Sequence, residues 1–358
     1  MKAIEVKNLV KEFPLPQSKK KGKKNGKKNN SNLINLDLNK ENLKSESPDC
    51  DYIFYEDRYV LRGGARYLKA VDSITFSVDS GEILGFIGPN GAGKSTTIKM
   101  LSGILTPSSG EISVLGFHPS KDRKKMAYKI ATVFGQKSQL LMHLAPLDTF
   151  KLLGAIYSID KKMLNDKISK FTTDFELENI INVPTRKLSL GERIKCEIVA
   201  SLLHEPEVLF LDEPTIGLDI IIKKKIRELI LKMNKDYKTT VILTSHDVSD
   251  IEKLCDRVII INNGRIVFQD SMKNLKYNFL GKKQISLKTE NDIDLNIQNI
   301  NIVKRKDNAA KIDIDTKIVP IQNVINEILS KNNVMDISID DPPLEEIISD
   351  IYKKTGAR

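Results

Sequence analysis

The chain has 358 residues, of which 40% are hydrophobic, with a formal net charge of +10. That length suits one large domain or two smaller ones, with enough apolar content for a core. Its three cysteines, Cys50, Cys196 and Cys255, are scattered, odd in number and without Cys-x-x-Cys spacing, so they support neither a disulfide framework nor a metal site and fit a reducing compartment.

Residues 1–13 alternate charged and apolar side chains and lack the apolar centre of a signal peptide. No run reaches the roughly 18 uninterrupted apolar residues of a membrane span. Any work at a membrane is therefore expected to go through a partner. Most of the basic balance comes from seven lysines, Lys19, Lys20, Lys21, Lys23, Lys24, Lys27 and Lys28, with no acid between them. Such a run can contact anionic lipid or nucleic acid. Like charges also repel and extend, and the expectation is a disordered, solvated stretch over residues 17–47.

Residues 3–10 read as a strand. From Lys11 to about Gly64 the pattern breaks, so residues 17–64 are expected to form a Lys/Asn-rich insertion, partly disordered, with some order over the aromatic 52–59. Residues 71–78 alternate as a strand, and Ser80-Gly81 marks a turn. Residues 82–87 are almost wholly apolar, as in a strand buried on both faces. A helix is expected over 95–105, a strand over 111–115 and another buried strand over 131–134. From Leu140 to about Asn182 apolar residues such as Phe150, Leu153 and Ile156 recur at helical spacing. A helix over 191–204 precedes core strands at 208–211 and 240–243, which a helix over 220–233 separates. Asn262-Asn263-Gly264 is a hairpin signal between strands at 258–261 and 265–268. Beyond about Leu275 the texture changes to a small α+β appendage, with strands near 285–287, 311–314 and 334–339 and helices near 324–329 and 344–351. No internal repeat is evident.

Gly88-Pro89-Asn90-Gly91-Ala92-Gly93-Lys94-Ser95 matches the phosphate-loop pattern in full, between a buried strand and a helix. Glycines let backbone N–H groups converge on phosphate, and the helix N-terminus adds positive potential. Lys94 can reach the β- and γ-phosphates of a nucleotide, and the Ser95 hydroxyl can bind Mg²⁺. Asp212 ends an apolar strand and can hold Mg²⁺ through water. Glu213 follows it and can polarise an attacking water as general base. His246 ends another core strand, where ligands of parallel sheets gather. Gln136, after the strand at 131–134, is a weaker candidate to orient water or meet Mg²⁺. Ser189-Leu190-Gly191-Glu192 is a capping box, in which Ser189 accepts from the Glu192 N–H and Glu192 bonds back. It is also a helix start preceding the Asp212 strand, able to face the phosphate of a second molecule. His118, His143 and His204 are assigned no chemistry.

Taken in order, Gly88 to Ser95, Gln136, Leu188 to Glu192, Leu211 to Pro214, Gly217-Leu218-Asp219 and Ser245-His246 resemble the ATP-binding subunit of ABC transporters. The likeness covers roughly residues 2–270. It implies an α/β phosphate-loop NTPase fold with a mostly parallel core sheet, an antiparallel β subdomain and a helical subdomain. Residues 1–275 would form the ATPase domain, including a helical subdomain at 137–190 that grips a membrane permease, and residues 276–358 would be the appendage. Further implications are ATP and Mg²⁺ as ligands and a head-to-tail dimer with a second copy or a related subunit. The protein would sit at the cytoplasmic face of the membrane through its permease.

By this resemblance residues 88–95 and Thr96 bind ATP. Gln136 joins Ser95 and Asp212 around Mg²⁺, Glu213 is the base and His246 the switch histidine. Ser189, Gly191 and Glu192 act in trans, and Asp219 lies in the loop linking the two sites. The family also places an adenine-stacking aromatic after the first strand. Here Phe13 continues that strand while Tyr67 lies nearer the next, and the motif does not choose between them. Leu190 stands in place of a signature glycine and Glu192 in place of glutamine, as in a subgroup that works with ABC-2-type export permeases. A soluble ABC ATPase acting on nucleic acid or ribosomes is the competing class. One phosphate loop and no sustained heptads disfavour it.

Overall fold

The computed structural model describes residues 1–15, 52–55, 58–62, 65–135, 138–245, 247–277, 282–291, 293, 300–316 and 318–355. The chain separates into two compact units, Met1–His246 with Ile259–Ile266, and Asp247–Val258 with Val267–Arg358.

The first unit opens with strands β1 (Lys2–Pro14), β2 (Tyr52–Tyr55), β3 (Tyr59–Arg62) and β4 (Ala65–Asp79). There follow β5 (Ile83–Ile87), α1 (Lys94–Leu101), β6 (Ser109–Val114), α2 (Arg123–Ala127) and β7 (Ile130–Phe134). Helices α3 (Pro146–Ile156), α4 (Lys161–Asp174) and α5 (Leu190–Leu202) then precede β8 (Val208–Asp212), α6 (Ile220–Tyr237) and β9 (Thr240–Ser245). Beyond β9 the chain runs through α7 (Val248–Leu254), β10 (Arg257–Asn262), β11 (Arg265–Ser271) and α8 (Met272–Tyr277), of which α7 and α8 belong to the second unit.

Two sheets result. One is antiparallel, in the order β2-β3-β4-β1-β6. The other runs β11-β10-β5-β9-β8-β7, and its β5, β9, β8 and β7 are mutually parallel. Strands β5 and β9 are buried at every position, which explains their unbroken apolar reading. Ile4, Leu9, Ile74, Leu84, Phe86, Ile98, Met126 and Phe210 join the two sheets and α1 in one core. The parallel register sets Ile87 beside Ser245, Asp212 beside Thr244, and Phe134 beside Asp212. The ends of four strands therefore line up on one edge, each feeding a segment that the sequence marks for chemistry.

One expectation needs correcting. The pattern does not break at Lys11, because β1 continues to Pro14 and β4 begins at Ala65. These strand ends hold through backbone pairing and cross-strand charge, with Glu12 opposite Lys69 and 3.3 Å from Arg62, so no apolar alternation advertises them. The short hairpin β2–β3 adds to the same sheet at β4. The disorder expected over 17–47, with its lysine run, falls outside the described residues.

In the second unit, β12 (Lys282–Thr289), β13 (Ile300–Lys306), β14 (Ala309–Asp315) and β15 (Val334–Asp340) form an antiparallel sheet in the order β13-β14-β12-β15. Helices α9 (Ile321–Lys331) and α10 (Leu344–Lys354) complete it. Val324 and Ile328 of α9 pack on Ile285, Leu287, Ile312 and Ile314. No helix among the described residues is long and apolar enough to cross a membrane.

Candidate active site

The loop between β5 and α1 is shaped by what surrounds it. Gly93, the residue before α1, sits at φ +110°, and a side chain there would fall 2.5 Å from the Ala70 carbonyl oxygen. Only glycine fits this position. From behind, the Gly264 N–H donates to Ala92 O and the Asp72 N–H donates to Gly264 O, both at 2.9 Å, so the turn between β10 and β11 braces the loop. Burial raises the Asp72 carboxyl, but hydrogen bonds from Arg265 (2.7 Å) and Lys69 (3.1 Å) outweigh it and leave the group below its usual range.

Lys94 is only 5% exposed. Its ammonium donates to Gly88 O at 2.7 Å and Pro89 O at 3.2 Å and lies 3.8 Å from Glu213 Oε1. Burial pulls its pKa below the ordinary lysine range, and the carboxylates of Glu213 and Asp212 counter part of that pull. The cation thus sits curled inside the loop, facing the end of β8.

Asp212 and Ser95 meet across the sheet edge. The Ser95 hydroxyl donates to Asp212 Oδ1 at 3.2 Å, and the Thr244 hydroxyl donates to the same oxygen at 2.6 Å. A serine hydroxyl beside a carboxylate is a hard-oxygen set. It suits Mg²⁺, which takes one or two protein oxygens and fills its shell with water and phosphate. Glu213 adopts φ +54°, an uncommon conformation for a residue with a side chain, and such strain clusters at functional sites. Its N–H is held at 3.1 Å by both the carbonyl and the hydroxyl of Thr244. Gly135 packs close to this bend, since a side chain on it would lie 2.4 Å from Glu213 O. Thr244 and Gly135 are site residues that the sequence reading missed. The signal for Thr244 is its place in the parallel register opposite Asp212.

Gln136 and His246 fall outside the described residues, although their neighbours Gly135 and Ser245 end on this edge. Phe13 and Tyr67 lie on the paired strands β1 and β4, where Phe13 is opposite Leu68 and Tyr67 opposite Pro14. Lys11 stands over the Phe13 ring at 5.2 Å and Arg62 over the Tyr67 ring at 5.8 Å. Thr96 is half-buried in the first turn of α1, and Asn90 and Gly91 are exposed.

The capping box at α5 is formed. Ser189 Oγ accepts from the Glu192 N–H at 3.3 Å and donates to Glu192 Oε2 at 2.8 Å, and the Ser189 N–H also donates to Oε2 at 2.8 Å. Asp219 caps α6 in turn, accepting from the Ile221 and Ile222 N–H groups at 3.0 Å. The two helix starts touch, for a side chain on Gly191 would fall 2.6 Å from Ile222 Cγ2. Glycine here has a packing reason as well as the proposed approach to phosphate. Gly191→Ala is therefore expected to destabilise the chain by ~1–3 kcal/mol through overpacking. The check is a lower urea midpoint at unchanged slope.

His204, given no chemistry from sequence, is a packing residue. Its ring stacks on Tyr157 at 4.0 Å and Nε2–H donates to Ile130 O at 3.0 Å. Burial lowers its pKa and favours the neutral ring. Cys196 is also buried, which pushes its thiol up to about 12 and leaves it unreactive at neutral pH.

A glycine loop with a buried lysine, a hydroxyl–carboxylate pair and an adjacent glutamate on one sheet edge defines a phosphate-loop nucleotide site. Residues 71–216 match the family described as "ABC transporter". The "ABC transporter ATP-binding protein NatA" of Bacillus subtilis is 30% identical over 227 residues, 63% of this chain and 89% of NatA. The "Probable multidrug ABC transporter ATP-binding protein YbhF" of Escherichia coli is 35% identical over 209 residues, 58% of this chain but only 35% of that longer relative. A dimeric, post-hydrolysis ATP-binding cassette bound to ADP and Pi shares the fold, with a TM-score of 0.55 at 20% identity over 75% of this chain and 98% of that one. The chain belongs to the ATP-binding proteins of ABC transporters and is an ATPase of that family.

Proposed function

We propose that this ATPase powers a membrane exporter by closing and reopening a head-to-tail dimer. The observation that carries the reading is the cluster of Lys94, Ser95, Asp212, Glu213 and Thr244 on one edge of the parallel sheet. Residues 88–96 receive the triphosphate through convergent N–H groups and Lys94. Ser95 and Asp212, with Gln136, hold Mg²⁺, which supplies positive charge against the phosphate oxygens. Glu213 orients and deprotonates the attacking water, and His246, which follows β9 in sequence, takes the switch-histidine role.

The start of α5, with Ser189, Gly191 and Glu192, then closes over the phosphate of a second copy. Asp219 links the two sites, and the exposed Ile220 and Ile221 that follow it offer apolar surface to that copy. A cassette of the same fold is known as a dimer with ADP and Pi. The helical segment 137–190 exposes Leu141, Met142, Leu144 and Leu152, which fits docking of an ABC-2-type permease at the cytoplasmic face of the membrane. Export is favoured by Leu190 and Glu192 in the signature and by the multidrug description of YbhF.

The test is co-expression with an ABC-2-type permease, taken from a neighbouring gene where one encodes it. The expected result is that the chain fractionates with membranes and that its phosphate release rises with the permease present. A chain that stays off membranes and instead binds RNA in a salt-sensitive way contradicts the proposal.

A further inference from the structure

The hairpin β2–β3 adds two strands to the β4 edge of the antiparallel sheet, and Arg58 stands just before β3. Its guanidinium does not simply project into solvent. Nη2 donates to Gly91 O at 3.1 Å, and Nη1 donates to the Asn263 side-chain oxygen at 3.4 Å. Nε is buried and has no partner among the described residues. Gly91 is the exposed middle of the phosphate loop, at φ +76°, with open space where a side chain would be. Asn263 belongs to the turn whose next residue, Gly264, donates to Ala92 O. One planar fork therefore ties the exposed middle of the loop to the turn that braces its back.

From this bridge we infer that Arg58 is a positioning residue for the nucleotide phosphates. The inference rests on the proposed ATP-binding role of residues 88–96. Its first effect is conformational. Fixing Gly91 O fixes the peptide planes around it, so the loop N–H groups remain convergent before a phosphate arrives, and less ordering cost falls on binding. Its second effect is electrostatic. Both acceptors are neutral, so neither contact itself neutralises the guanidinium beside a loop that receives an anion. Arginine suits the task because one rigid fork can span two oxygens, whereas a lysine ammonium is a single point on a flexible stem. The inserted hairpin thereby becomes part of the nucleotide site.

The test is titration of the full chain with ATP and with ADP, comparing wild type, Arg58→Ala and Arg58→Lys, alongside thermal unfolding without nucleotide. Arg58→Ala is expected to weaken both nucleotides about tenfold, the size of one lost charge-assisted bond. Its nucleotide-free unfolding temperature should match wild type, a combination that a merely structural role does not produce. Arg58→Lys should fall between the two, keeping charge without the fork, and it carries the test if the alanine variant fails to fold. Unchanged nucleotide affinity in the variants overturns this inference alone. A wild-type chain that binds no ATP overturns the functional reading and the inference with it.

Discussion

Glu213→Gln is expected to bind ATP as wild type does and to hydrolyse it about 10²–10⁴-fold more slowly, the usual contribution of a positioned general base. The substitution keeps the size of the side chain and removes its basicity. Glu213 is placed by its backbone: β8 ends at Asp212, and the next residue bends to φ +54° with its N–H held by both oxygens of Thr244. Gly135 packs against that bend, where a side chain would fall 2.4 Å from the Glu213 carbonyl oxygen. The carboxylate also lies 3.8 Å from Lys94, so it faces the loop. Phosphate release under single-turnover conditions, together with ATP affinity, separates the two effects. Wild-type turnover in this variant would remove Glu213 from the mechanism.

Lys94→Ala should act on the earlier step. Lys94 is curled onto Gly88 O and Pro89 O, so its donors are spent within the loop and are available to exchange for phosphate oxygens. A charge-assisted hydrogen bond is worth roughly 1.5–3 kcal/mol. Loss of the ammonium is then expected to weaken ATP about 10- to 100-fold, at 1.4 kcal/mol per decade. The fold should survive with some loss of stability, because Glu213 loses the cation 3.8 Å away while Asp212 keeps its bonds from Ser95 and Thr244. Equilibrium binding of ATP, with far-UV circular dichroism as a control, checks both halves. Together the two variants divide the site into a group that captures phosphate and a group that activates water.

The legible parts of this protein share a physical cause. Strands β5, β8 and β9 are buried on both faces, so burial alone forces an apolar run with polar residues at its end. Those ends are Gly88, Asp212 and Ser245, and the site can be read from sequence there. The hairpin signal Asn262-Asn263-Gly264 was equally local. What escaped is held by pairing rather than by pattern. The outer ends of β1 and β4, and β3, carry charged or half-exposed residues whose partners lie across the sheet, and β2 is only four residues long. Strand β13 is exposed at nearly every position and has no alternation to read. Thr244 looks like an ordinary strand residue until the register sets it beside Asp212. Arg58 lies within a stretch read as an insertion, and only the fold brings it to Gly91. The capping box at Ser189 was visible because it is local, but its contact with Ile222 was not.

In the proposed mechanism two copies of this chain close on ATP, with the Ser189 helix start of each meeting the phosphate loop of the other. Sedimentation of the Glu213→Gln variant in saturating ATP and in saturating ADP decides whether they do. A dimer in ATP and a monomer in ADP is the predicted result. A variant that binds ATP to saturation and remains monomeric would contradict the account.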